Sequence, residues 1–311
     1  MKKIERVSVI GLGAIGAAYT SRLQDMNPAC VQVIADQERI QRYEASELTV
    51  NGKGYTFRYV SPDAETEPAD LVIVAVKYEG LQQAIRDMRL HVGPHTIILS
   101  LLNGISSEEI LASAYGTDNL LYAMCVAIDA VRDGLSIHFS KIGKICFGEK
   151  MNTTYSPNVQ RVKELFEEAN IPYEIPENML HTMWWKFMIN VGVNQCSAVL
   201  KAPYRVFQEI PEAQQWMADA MQEVIILSEK AGVHLSQGDM DNFIDILHQL
   251  SPEGKTSMLQ DIEAGRKTEV EYLAGKVREL GQKYGTPTPI NDMLYKMIRI
   301  LEEAALLQQR A

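Results

Sequence analysis

The sequence has few cysteines, no long apolar run and no excess of positive charge. Four cysteines occur in 311 residues, at Cys30, Cys125, Cys146 and Cys196, and no two stand in a C-x-x-C spacing. No histidine lies near them in a ligand pattern. Reduced thiols are therefore expected, with no disulfide framework and no metal site. The longest apolar runs, residues 71–76 and 96–102, fall well short of the roughly 20 residues that span a bilayer. Met1-Lys2-Lys3-Ile4-Glu5 leads straight into a strand pattern with no signal-peptide core, so a cytoplasmic location is expected and no membrane partner. There are 30 basic residues against 40 acidic ones, a net charge of −10. That balance argues against nucleic acid and anionic membrane, but not against a small anion met by local donors. Internal repeats and Pro/Gly/Ser-rich linkers are also absent.

What remains is an ordinary folded composition, 46% apolar and 23% charged, on a length that favours two domains. Strand and helix signals alternate in the first half. Residues 7–10 and 31–35 read as buried strands, and the continuous apolar runs at 71–76 and 97–102 each lead into a helical pattern. Such runs suit strands buried on both faces of a parallel sheet. Asn51-Gly52-Lys53-Gly54 marks a hairpin between 48–50 and 55–60. Short β-like runs at 122–126, 136–139 and 144–147 read as antiparallel strands closing the sheet. Only helical patterns follow Pro176. The fold expected is α/β, an N-terminal Rossmann-type doubly wound sheet over residues 1–175 with a C-terminal all-α domain over 176–311.

Gly11-Leu12-Gly13-Ala14-Ile15-Gly16 is a G-x-G-x-x-G that follows a strand and opens a helix, the context that makes it specific for a dinucleotide. Gly11 permits the tight turn, Gly13 leaves room for a pyrophosphate, and Gly16 lets helix and strand pack closely. Asp36 stands twenty positions after Gly16, where a carboxylate accepts from ribose hydroxyls and repels a 2′-phosphate. This favours NAD, although Arg39 and Arg42 close behind can hold a phosphate. Lys77 and Asn103-Gly104 close the next two strand runs, at the end of the sheet where ligands bind. Their plain alternatives are a solvated lysine and an ordinary turn.

Residues 179–198 read MLHTMWWKFMINVGVNQCSA. A helix apolar on nearly every side is buried. Yet Lys186, Asn190 and Asn194 recur at i, i+4 and i+8, one stripe drifting about 40° at each step. Asparagine is a poor helix residue, so the stripe suggests a hydrogen-bonding wall rather than a solvated face. Apolar surroundings disfavour the lysine ammonium and ready it to give up a proton. Further on, Ser257-Met258-Leu259-Gln260-Asp261 is helical with Gly265 as its stop. Thr268-Glu269-Val270-Glu271 matches a capping box, with Thr268 as N-cap, Glu271 as its partner and Glu269 in the first turn of a new helix.

Together these motifs resemble the ketopantoate reductases (2-dehydropantoate 2-reductases), over nearly the whole chain. The resemblance implies reduction of a 2-oxo acid to a 2-hydroxy acid by a nicotinamide cofactor. By the same likeness Lys186 is the general acid and Glu269 assists it. Asn103, Asn190, Asn194 and Ser257 bind substrate. Gly11, Leu12, Gly13, Ala14, Ile15, Gly16, Asp36, Lys77 and Asn103 line the cofactor. NADP is the usual family cofactor, whereas Asp36 stands where many members carry an arginine. Relatives of the same architecture include NAD-dependent D-mandelate-type 2-hydroxyacid dehydrogenases, which keep the lysine. A β-hydroxyacid dehydrogenase is disfavoured by Met183-Trp184-Trp185, and a non-catalytic nucleotide-binding protein by the complete polar set. A homodimer through the helical domain is expected.

Overall fold

The computed structural model describes residues 2–309. It divides into two compact units, residues 1–103 with 107–180, and residues 104–106 with 181–311. Twelve strands lie in the first unit: β1 Val7–Ile10, β2 Val31–Ile34, β3 Leu48–Val50, β4 Lys53–Tyr55, β5 Tyr59–Val60, β6 Leu71–Val74, β7 Ile97–Ser100, β8 Leu120–Val126, β9 Val131–Asp133, β10 Ser136–His138, β11 Lys144–Gly148 and β12 Tyr173–Glu174. Eight form one sheet in the order β12-β11-β8-β7-β6-β1-β2-β5. The run from β5 to β8 is parallel throughout, and only the β8–β11 pair is antiparallel. Every residue of β1, β2, β6 and β7 is buried, which explains their unbroken apolar runs. Helices α1 Ala14–Met26, α2 Gln37–Ala45, α3 Leu81–Asp87, α4 Ser107–Tyr115 and α5 Pro157–Glu168 supply the connections and cover. The chain leaves β1 for β2 on one side and later returns to place β6 on the other. The β1–β6 boundary is therefore the switch point where such sheets bind ligands.

Two strand expectations are corrected. Residues 136–139 do not close the main sheet. The strand β10 pairs with β3 and β9 in a separate sheet of order β4-β3-β10-β9. Its one fully buried side chain, Ile137, joins Leu12, Ala17, Leu48 and Val50 in a cluster beside α1. The run 55–60 also splits. Tyr55 ends the hairpin strand β4, while β5 crosses to extend the main sheet beside β2. Between β3 and β4, Asn51 and Gly52 take φ 48° and 80°, the left-handed pair of a two-residue hairpin turn.

The second unit is helical, and α6 Met179–Ile189 leads into it. It continues with α7 Gln195–Leu200, α8 Tyr204–Glu209, α9 Pro211–Lys230, α10 Gln237–Gln249, α11 Ser257–Glu263, α12 Ala274–Tyr284 and α13 Pro289–Gln309. Its core gathers on α9, where Met217, Ala220, Met221, Val224 and Leu227 are all fully buried. The helix expected over 179–198 is not uniform. Residues 190–194 form one π turn between α6 and α7. Gly192 lies in that turn, where a Cβ would come within 2.4 Å of Met221 Cε, so a bare Cα lets the turn press on α9. All four cysteines are buried thiols with no disulfide. No helix among the described residues is long and apolar enough to cross a membrane.

The elements of this unit are tied together at Gln195, which is fully buried. Its Nε2 donates to Val191 O at 2.7 Å, inside the π turn, and to Asn291 Oδ1 at 3.1 Å. Its Oε1 accepts the Ala274 N–H at 2.9 Å, at the start of α12. Asn291 in turn donates to Glu223 Oε2 at 2.7 Å, and that carboxylate also accepts the Ile290 and Asn291 amides opening α13. Replacing Gln195 by leucine strands the Ala274 N–H and the Asn291 carbonyl oxygen, each worth about 1–3 kcal/mol when buried unpaired. Urea unfolding of Gln195→Leu is expected to show a loss of about 2–4 kcal/mol. A change below about 0.5 kcal/mol, the range of neutral surface substitutions, would contradict this role.

Candidate functional site

The glycine loop sits at the switch point. Gly11 takes φ 101°, and a Cβ there would lie 2.6 Å from Ala75 O, just past β6. A Cβ on Gly16 would lie 1.9 Å from Gly11 O, so loop and helix can close only without one. Gly13 is different. The nearest atom to a Cβ placed there is Ala75 O at 3.9 Å, an ordinary contact. The fold requires bare Cα atoms at 11 and 16 and does not require one at 13. The space beside Gly13 is open to a close-approaching ligand. Gly13 is also the N-cap of α1, with no side-chain cap and no acid in the first turn. The first amides of α1 and its positive end are therefore available to an anion such as a diphosphate. Leu12 is buried, whereas Ala14 and Ile15 are partly exposed at the helix start. The diphosphate of a dinucleotide fits this cradle.

Asp36 follows β2 and is the N-cap of α2, its Oδ1 accepting the Arg39 N–H at 2.7 Å. The same carboxylate pairs with the Arg39 guanidinium at 3.5 Å, with its side chain about half exposed. Capping uses one of the roughly four lone-pair sites of a carboxylate and leaves others for ribose hydroxyls. Arg42 stacks over the Tyr43 ring at 5.4 Å. Lys77 is exposed beyond β6, and Asn103 is partly buried beyond β7. Strands β2, β1, β6 and β7 are consecutive neighbours, so the glycine loop, Asp36, Lys77 and Asn103 gather along one edge of the sheet. Arg132, which nothing in the sequence singles out, reaches from β9 to the carbonyls of Leu12 and Gly134 and braces the loop. Its role depends on the second sheet and has no signature in the sequence.

In the helical unit the polar stripe is present, with a changed geometry. Asn190 is 8% exposed, while Lys186 and Asn194 are partly buried, so the wall grades from interior to open. A uniform α-helix would carry Asn194 off the stripe by the expected drift. The π turn holds more residues per turn and turns the chain less at each one, which cancels that drift. Asn194 Nδ2 lies 3.4 Å from Asn190 Oδ1, the i,i+4 neighbour relation on a helix surface. Trp185 Nε1 donates to Asp239 O at 3.0 Å and anchors the helix beside Lys186.

Ser257 opens α11, capped by Thr256, and is exposed; α11 packs against the π turn and α7. The capping box expected at 268–271 does not form. The amide and hydroxyl of Thr268 donate to Glu302 Oε1, both at 2.7 Å, and Glu271 accepts from the Tyr295 hydroxyl at 2.8 Å. Glu302 and Tyr295 both lie on α13, which outcompetes the local partner. Glu269 is the N-cap of a short 3-10 turn, Val270–Tyr272, and α12 starts only at Ala274. Partly buried Glu269 is thus fixed between two residues bonded to α13, and the Ala274–Gln195 bond ties the segment to the π turn.

Comparisons with known proteins agree with this architecture. The family model for ketopantoate reductase PanE/ApbA matches residues 7–152, and that for the ketopantoate reductase PanE/ApbA C terminal matches residues 178–302. A 2-dehydropantoate 2-reductase from Streptococcus pyogenes is 22% identical over 306 residues, covering 97% of this chain and 99% of that protein. A D-mandelate dehydrogenase solved with NADH and anilino(oxo)acetate superposes with a TM-score of 0.86 at 20% identity, covering 96% of this chain and 99% of the other. A dimeric ketopantoate reductase from Staphylococcus aureus gives a TM-score of 0.82 at 19% identity, with the same coverage.

The two glycines separate ligand from fold. Gly16→Ala is expected to lower stability by about 1–3 kcal/mol, the usual cost of overpacking. Gly13→Ala is expected to keep stability within about 0.5 kcal/mol while weakening NADH binding about tenfold or more. Urea unfolding and fluorescence titration with NADH check both. Unchanged NADH affinity in Gly13→Ala would contradict the assigned cradle.

Proposed function

The chain belongs to the ketopantoate reductase PanE/ApbA family, and from that premise we propose that it reduces a 2-oxo acid to the 2-hydroxy acid with NADH, 2-dehydropantoate to D-pantoate being the leading reaction. The observation that carries this reading is the Lys186–Asn190–Asn194 stripe kept in line by a π turn, in a chain whose glycine loop fits a dinucleotide.

When bound, the nicotinamide supplies the hydride to the carbonyl carbon. The Lys186 ammonium donates a hydrogen bond to the carbonyl oxygen and gives up its proton as negative charge develops there. Glu269 orients that ammonium. The side-chain amides of Asn190 and Asn194 donate to the carboxylate and hydroxyl groups of the substrate, with Ser257 and Asn103 completing its hydrogen bonds. Gly11, Leu12, Gly13, Ala14, Ile15 and Gly16 cradle the diphosphate, Lys77 neutralises charge beside it, and Asp36 binds the adenosine ribose. NADPH is the disfavoured cofactor because the Asp36 carboxylate repels a 2′-phosphate.

A D-mandelate-type dehydrogenase acting on aromatic or branched 2-oxo acids is the second reading. It is favoured by Asp36 together with the likeness to a mandelate dehydrogenase solved with NADH. Steady-state kinetics with both cofactors against ketopantoate and an aromatic 2-oxo acid separate the two. NADH is expected to give a kcat/KM about tenfold or more above that of NADPH, one contact's worth of free energy. Lys186→Ala is expected to lower kcat about 100-fold or more while NADH binding survives. A wild type that oxidises neither cofactor with any 2-oxo acid would overturn the reading.

The assembly we infer is a homodimer through the helical unit. Met293, Ile300 and Leu307 stand seven residues apart on α13, 54%, 66% and 66% exposed, and the Staphylococcus aureus relative is dimeric. Three apolar side chains along one stripe suit a second copy of the same helix. Sedimentation equilibrium is expected to give twice the 34.9 kDa chain mass. A monomer at micromolar concentration would contradict it.

A further inference from the structure

Glu108 lies in the first turn of α4 and is 2% exposed, yet the chemistry above does not use it. Its Oε2 accepts the Ser107 hydroxyl at 2.9 Å. Ser107 Oγ accepts the Ser100 hydroxyl at 2.8 Å, and Ser100 Oγ accepts the Leu102 N–H at 3.4 Å. The four groups form one relay in which every donor points toward the carboxyl. It starts at the peptide next to Asn103, the residue assigned to the ligand edge of the sheet. Glu108 Oε1 is buried with no hydrogen-bond partner. A bare lone pair is tolerated on a carboxyl that changes protonation state more readily than on one that is permanently charged.

Burial pushes the Glu108 carboxyl up to about 7, against the pull toward the charged form of its own backbone amide, then the Ser107 hydroxyl and the Ala123 amide. On its own helix Glu109 raises it further. Tyr115, also on α4, donates to Ile85 O, and on the two elements that pack most closely against α4 the charged or titratable groups are Tyr122 and Cys125 on β8, and Arg86 and Asp87 on α3, which are both bonded to Gln83. β7 carries none.

We propose that Glu108 is a positioning residue for Asn103, holding the Leu102 amide through Ser107 and Ser100 more tightly when ionised than when protonated. Hydrogen bonds to a charged acceptor are roughly twice as strong as neutral ones, and hydroxyl relays polarise along their length. As pH rises through about 7, the carboxylate forms, the relay shortens and the turn before Asn103 stiffens. The Ser107 hydrogen bond favours the charged form in the same way, so the sign is consistent.

The functional consequence rests on the reading of Asn103 as a ligand contact, whereas the structural one does not. Hydrogen-exchange protection of the Leu102 and Asn103 amides, corrected for intrinsic rates, is measured from pH 5.5 to 8.5. In the wild type it is expected to rise about fivefold through neutrality. It is expected to be flat in Glu108→Gln, which keeps shape without charge, and in Ser107→Ala, which cuts the relay and leaves Glu108 in place. The KM for the 2-oxo acid is expected to fall by a similar factor over the same interval, without a matching change in kcat, and to lose that dependence in both variants. Flat protection in the wild type, or the wild-type rise retained in either variant, overturns the proposal. An enzyme inactive on every 2-oxo acid overturns the proposed function instead, and the exchange data still decide the role of Glu108.

Discussion

One buried amide organises the helical unit. Gln195 satisfies a carbonyl inside the π turn, the first amide of α12 and the side chain that opens α13, all from a position with no solvent access. A buried amide in this setting has no water to fall back on, so its partners are fixed as a set. Two consequences follow for the proposed chemistry. The π turn that brings Asn194 back toward the line of Lys186 is held at its end. The segment carrying Glu269 is drawn to the same place from the other side. Local preference would not produce either feature, since a π turn is rare and a 3-10 turn short-lived in isolation.

The first unit reaches its geometry by the opposite means, through missing atoms. Gly11 and Gly16 are bare because backbone from β6 and from the loop itself occupies the space. Gly13 is bare with room to spare, and the helix behind it has no side-chain cap. A protein of net charge −10 thereby offers an anion the local positive end of a helix. At the far end of the same sheet edge, Asp36 caps α2 and lies beside the Arg39 guanidinium, and the proposed preference for NADH rests on that carboxylate.

The parallel strands and glycine loop were legible because each is a local pattern: unbroken apolar runs for doubly buried strands, and a fixed glycine spacing after the first. The polar stripe was legible as a period of four. Its true alignment was not, because residues 179–198 are apolar on nearly every side and leave no clear periodicity for a π turn to interrupt. The capping box at 268–271 failed because Thr268 finds Glu302, 34 residues away, a competitor no local rule contains. The run 136–139 was assigned to the wrong sheet for the same reason, its partner β3 lying some 87 residues earlier. Gln195, Arg132 and Glu108 read as ordinary polar residues. Their importance is set entirely by what the tertiary fold brings against them.

The central claim is that Lys186 meets the carbonyl oxygen of a 2-oxo acid, with Asn190 and Asn194 on its polar groups. The most direct measurement is a crystal structure with NADH and a non-reducible 2-oxo acid analogue such as oxamate. The account predicts the analogue carbonyl oxygen within hydrogen-bond distance of Lys186 Nζ and at least one of the two asparagine amides on the ligand. An analogue bound with NADH but away from Lys186 would contradict it.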